Sequence, residues 1–171
     1  MIKETSIMKK YRLEDILLLG DPRLYQSCEA VRPEEVPDLV PVVEGLADLV
    51  LQFRRRYGAG RAIAAPQVGV MKRLVVMNID EPLVFFNPGL YEASEEMMEL
   101  WDDCMSFPNL MVRLQRHRRI TLRYRDQHWE EQEWRLEGDL SELLQHEVDH
   151  LDGILATMRA VDERSFRWRQ D

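Results

Sequence analysis

The chain has 171 residues, 45% of them apolar and 32% charged, with a formal net charge of −8. That length suits one domain, 1–171, which buries roughly 70% of its unfolded surface without help from disulfides. The acidic balance argues against general nucleic-acid binding, DNA included. The two cysteines, Cys28 and Cys104, could pair once but do not make the framework of a stapled, secreted fold. Met1 to Ser6 lacks a signal-peptide core, and no apolar run approaches the ~20 residues that cross a bilayer. The expectation is a cytoplasmic protein with no membrane contact; an organelle stays open.

Residues 1–10 read as a loose, charged lead, and Asp21-Pro22 as a turn. The first strong helix is predicted from Asp38 to Tyr57. Its Leu39, Val42, Val43, Leu46, Leu49, Val50, Phe53 and Tyr57 follow i, i+3, i+4, i+7 spacing. Asp38 is its N-cap, Pro41 falls in its first turn, and Gly58 and Gly60 end it. Arg73–Ile79 and Leu83–Asn87 read as short strands around an Asp80-Glu81-Pro82 turn. Ile120, Leu122 and Tyr124 alternate with Thr121, Arg123 and Arg125, a half-buried strand, with Glu133–Leu136 as its partner. The last element is a helix from Leu140 to Leu151, striped by Leu140, Leu143, Leu144 and Leu151. Asp139 and Glu142 are spaced as a capping box at its start, and Asp152-Gly153 closes it. The basic clusters at Arg54–Arg56, Arg113–Arg119 and Arg164/Arg167/Arg169 read as solvated faces. The segment 160–171 reads as a basic and aromatic tail that could touch ribosomal RNA transiently. Scattered strands with one helix before and one after give the α+β class.

The informative segment is Gln145-His146-Glu147-Val148-Asp149-His150. Histidines four apart on a helix project from one face, so both imidazoles can reach one ion. Glu147 between them can exchange a proton with water at that ion. A catalytic site of this kind takes a third protein ligand. No histidine follows His150, and Asp162, Glu163 and Asp171 are poorly placed. Cys104, in the turn-like Trp101-Asp102-Asp103-Cys104-Met105-Ser106-Phe107-Pro108, is the better candidate. A conventional metalloprotease, with its downstream ligand, does not fit.

Three segments, in order, resemble the motifs of the peptide deformylase family. Gly60-Arg61-Ala62-Ile63-Ala64-Ala65-Pro66-Gln67 resembles G-x-G-x-A-A-x-Q. Asp102-Asp103-Cys104-Met105-Ser106 resembles E-G-C-L-S. His146-Glu147-Val148-Asp149-His150 matches H-E-x-x-H, and Leu151-Asp152-Gly153-Ile154-Leu155 follows it as in the family. The likeness runs from Leu17 to about Ala160.

The resemblance implies small antiparallel sheets around a central C-terminal HExxH helix, plus one N-terminal helix. It implies hydrolysis of the N-formyl group from formyl-methionyl nascent peptides. Cys104, His146 and His150 would hold one divalent metal, iron(II) in the cell, with zinc, nickel or cobalt as substitutes. Metal-bound water would be the nucleophile and Glu147 its general base, then acid. Gln67 and the Met105 backbone N–H would form the oxyanion hole, and Asp149 would be a structural carboxylate. Gly60, Ala62, Ile63, Asp103, Glu142 and Leu143 would lie along the substrate. Ala62 and Asp103 replace family glycines, and Glu142 and Asp139 stand where the family lines a methionine pocket with apolar side chains. These acidic groups predict a pocket for a polar or basic side chain, or poor turnover of formyl-methionine. Two other readings stay open: a related metallo-amidase for another acylated amine, and a non-catalytic peptide- or ribosome-binding module.

Overall fold

The computed structural model describes residues 7–170. Most of the predicted lead, residues 1–6, lies outside the described residues. Ile7 to Lys10 follow irregular backbone, and the Lys9 N–H donates to the Pro41 carbonyl at 3.0 Å.

Helix α1 spans Val36–Tyr57 and starts two residues before the predicted Asp38 cap. The 3-10 turn Pro33–Glu35 feeds it, and Pro37 brings a helical φ to its first turn. Pro41 therefore lies inside the helix rather than in its first turn, where it removes one backbone bond. Gly58, at φ 69°, ends α1 and returns its N–H to the Arg54 carbonyl at 2.8 Å.

Strands β1 (Ala62–Ala64), β2 (Leu74–Asn78) and β3 (Pro82–Ala93) follow, then β4 (Met97–Asp102), β5 (Leu110–His117), β6 (Arg119–Arg125) and β7 (Glu131–Glu137). Helix α2 spans Asp139–Leu151, and β8 spans Phe166–Trp168. One sheet has the order β1-β2-β3-β6-β7 and the other β4-β5-β8, every pair antiparallel. The predicted pairing of Glu133–Leu136 with the strand of Ile120, Leu122 and Tyr124 is present, with Ile120 opposite Leu136 and Leu122 opposite Trp134. The architecture is α+β.

The period of two along a strand decides which helix each residue meets. Ile63, Leu74 and Val76 pack toward Leu46, Leu49, Val50 and Phe53 of α1. Their neighbours Ala62, Ala64, Val75 and Met77 pack toward Leu143, Leu144, Val148 and Leu151 of α2. All of β2 is consequently buried, as a strand covered on both faces must be. A third cluster, Cys104, Phe107, Val112, Leu114 and Ala156, belongs to the smaller sheet and the turns beside it. Helix α2 thus lies between the two sheets.

The predicted tail is largely structured. Its β8 pairs with β5 in the register Met111↔Arg167, and Arg167 lies over the Trp101 ring at 4.0 Å. Backbone pairing and a stacked guanidinium give this segment a place that composition alone does not show. Cys28 and Cys104 are both free. No described helix is long and apolar enough to cross a membrane.

Gly153 fixes the exit from α2. It has φ +71°, and a Cβ there would sit 2.6 Å from the Tyr25 carbonyl. Replacing it adds left-handed strain of about 1–3 kcal/mol and backbone overpacking of about 1–3 kcal/mol. Gly153→Ala is expected to lower the urea midpoint by the equivalent of about 2–6 kcal/mol with an unchanged slope. An unaltered midpoint would show that the 20s loop gives way freely.

Candidate metal centre

His146 and His150 stand one turn apart on the same face of α2, and their Nε2 atoms face each other at 3.1 Å. Cys104 comes from the turn after β4, closed by the Phe107 N–H to the Cys104 carbonyl at 3.0 Å. Its Sγ is 3.3 Å from His150 Nε2. All three side chains are buried, and their ligand atoms lie within 4.8 Å of one another.

Each ring is aimed by something behind it. His146 Nδ1 meets Asp102 Oδ2 at 2.9 Å, which turns Nε2 toward the centre. Asp102 Oδ2 also accepts from Arg116 Nη2 at 3.2 Å, and Arg116 Nη1 donates to Asp149 Oδ2 at 2.5 Å. Asp149 accepts two further bonds from Arg159, at 2.6 and 2.8 Å. Burial alone would raise the Asp102 carboxyl, but His146 and Arg116 outweigh it and hold it below its ordinary value. Burial disfavours charge on both imidazoles. Asp102 and the Cys104 sulfur overcome this at His146, whereas the neighbouring His146 adds to it at His150.

Glu147 is buried, and its Oε2 has no hydrogen-bond partner among the described residues. Desolvation pushes its carboxyl up to about 7. Gln67 is locked: its Oε1 accepts from the Ala64 N–H at 3.0 Å, and its Nε2 donates to Ser106 Oγ at 3.1 Å. That leaves the Gln67 amide N–H group 3.5 Å from Cys104 Sγ.

These groups open on a cavity of about 330 Å³ lined by Gly60, Ala62, Gln67, Asp103, Cys104, Met105, Glu142, Leu143, His146 and Glu147, among others. Two expectations fail here. Ile63 is not on the wall; the pleat of β1 turns it into the α1 core. Asp139 and Glu142 make no capping box, because Gly138 is the N-cap with no side-chain bond, and Asp139 is exposed away from the cavity. Glu142 instead pairs with Arg61, Oε1 to Nη2 at 2.5 Å. The Asp103 carboxylate is taken by Arg169 of the supposed tail.

A sequence profile described as polypeptide deformylase matches residues 13–166. The peptide deformylase of Salinibacter ruber is 38% identical over 146 residues, covering 75% of this chain and 74% of that protein. The peptide deformylase of Dictyoglomus thermophilum is 35% identical over 152 residues, covering 88% and 95%. This chain belongs to the peptide deformylase family. The crystal structure of the Thermotoga maritima peptide deformylase superposes with a TM-score of 0.79 at 31% identity, covering 90% of this chain and 99% of that one. As a deformylase the chain is a hydrolase of protein biosynthesis, and the family acts on formylated nascent peptides.

Peptide deformylases are metalloenzymes, and the donors present suit an ion. Bonds of about 2.0–2.1 Å to nitrogen and 2.3 Å to sulfur at tetrahedral angles put two nitrogens roughly 3.3 Å apart, and nitrogen and sulfur roughly 3.6 Å apart. The observed 3.1 and 3.3 Å fit one first-row divalent metal.

Sequence reasoning missed Arg61, Asp102, Arg116 and Ser106. Arg116 had a readable signal, since it continues the inward alternation of Val112 and Leu114 along β5. Asp102→Asn removes the acceptor charge behind His146, and such changes weaken metal affinity by about 10–100-fold. Chelator competition is expected to show that loss; unchanged affinity would remove Asp102 from the orienting role.

Proposed function

We propose that this chain hydrolyses the N-terminal formyl group of peptides, using one divalent metal held by Cys104, His146 and His150. The observation that carries the proposal is the convergence of those three ligand atoms beside a buried, unpartnered Glu147 oxygen. Thiolate with two imidazoles suits iron(II), and equally zinc, nickel or cobalt on exchange. A divalent metal there supplies Lewis acidity toward water and the formyl oxygen.

The chain's own residues supply the rest. Glu147 takes the proton of the attacking water as a C–O bond forms at the formyl carbon. It then delivers that proton to the amide nitrogen as the C–N bond breaks. Formate and a free amino terminus leave. Gln67, held by Ala64 and Ser106, donates with the Met105 backbone N–H to the oxygen that gains charge. Gly60 keeps the wall open, because a Cβ there would sit 3.0 Å from the Met105 methyl and from the Phe53 ring.

Single-turnover release of formate from a formyl tripeptide by iron-loaded protein tests this reading. Glu147→Ala is expected to lose about 10²–10⁴ in rate with full metal occupancy. Gln67→Leu is expected to lose about 10²–10³. Wild-type protein that binds its metal but releases no formate would refute the proposed activity.

A further inference from the structure

The cavity wall beside the metal ligands mixes apolar and charged side chains. Phe53, Ala62, Met105 and Leu143 form a sleeve, and the Arg61–Glu142 pair interrupts it. Glu142 stands one helical turn before His146 on the same face of α2, with Cβ atoms about 5–6 Å apart. Arg61 reaches across from the residue before β1, and its Nη1 also approaches the Asp139 carbonyl at 3.5 Å. The other charged groups on the wall are already committed. Asp103 is bound by Arg169, Asp102 by His146 and Arg116, and Arg54 by the carbonyls of Gly60 and Asn78.

The Arg61–Glu142 pair keeps hydrogen-bonding capacity in reserve. Among the described residues, Glu142 accepts only on Oε1 and Arg61 Nε has no acceptor. The pair thus holds a spare carboxylate oxygen and a spare guanidinium N–H. A side-chain carboxamide has the matching pair, a C=O to accept and an NH₂ to donate. It brings no net charge into a half-buried site. A thioether is only a weak acceptor, so it would displace water from the ion pair with little in return. A lysine or glutamate side chain would add a third charge to a matched pair and evict one member.

We propose that Arg61 and Glu142 are a specificity pair that selects, next to the formyl amide, a first side chain ending in an uncharged carboxamide over the thioether of methionine. This placement of the amide rests on the deformylase reading above.

Binding to metal-loaded Glu147→Ala protein separates the two claims, because that variant turns its ligand over about 10²–10⁴-fold more slowly. Calorimetry compares formyl-Gln-Ala-Ser with formyl-Met-Ala-Ser. The glutamine peptide is expected to bind at least tenfold more tightly. Removing both halves of the pair leaves no unpaired buried charge. In Arg61→Leu/Glu142→Leu/Glu147→Ala protein the preference is therefore expected to reverse, with thermal melting reporting that the fold persists. Equal or tighter binding of the methionine peptide while the pair is intact overturns the proposal. So does a folded variant without the pair that keeps the glutamine preference. If the preference holds but wild-type protein releases formate from neither peptide, the specificity pair stands and the hydrolytic reading fails.

Discussion

Helix α2 is buried along its whole length from Ser141 to Leu151, yet most of those residues are polar or charged. A helix between two sheets meets little water away from the cavity, so most such groups must find a partner or carry a heavy penalty. The partners come from both sides. Ser141 donates to the His117 carbonyl, and Gln145 bonds both the His117 N–H and its carbonyl. Arg61 answers Glu142, Asp102 answers His146, and Arg116 with Arg159 answers Asp149. Among the described residues, the buried atoms of this helix left without a partner are His150 Nδ1 and one Glu147 oxygen, beside the Nε2 atoms that meet each other and Cys104. The reactive set is the residue left after the rest of the helix has been neutralised.

The same requirement ties the smaller sheet to the larger one. Arg116 is nearly inaccessible and bridges Asp102 at the end of β4 to Asp149 on α2. Losing one partner of such a buried pair typically costs about 3–5 kcal/mol, because it strands a charge. The loop with Cys104 and the helix with the histidines are therefore held in a fixed relation before any ligand binds. That fixity is what a constellation drawn from distant parts of the chain needs.

The portions legible in the sequence are those that short-range rules govern. Histidines four apart meet on one helix face whatever surrounds them, and the alternation of Ile120 to Arg125 gives a strand and its buried side. Cys104 and Gln67 come within reach because three motifs recur in order. Contacts across many residues leave no such trace. Arg61 and Glu142 are 81 positions apart, and Arg169 and Asp103 are 66 apart. Glu142 shows how a local pattern misleads: its spacing from Asp139 fits a capping box, but Gly138, at φ 63°, takes the cap position and lets the helix turn Glu142 inward. The same holds for the 160–171 segment, whose composition suggests a solvated tail and whose backbone finds an open strand edge.

That strand edge has a consequence for the order in which the molecule is completed. Strand β8 follows every other described element in synthesis, and its neighbour Arg169 holds Asp103 while bonding the backbone at Pro108 and Asn109. Those contacts bracket Cys104 on both sides. A growing chain already contains the cysteine and both histidines when His150 emerges, whereas the Arg169 contact to Asp103 comes only with the last residues. In chain order the ligands and the Arg116 bridge come first and this outer clasp comes last, so a chain that stops before Arg169 lacks the clasp alone among the contacts that flank Cys104.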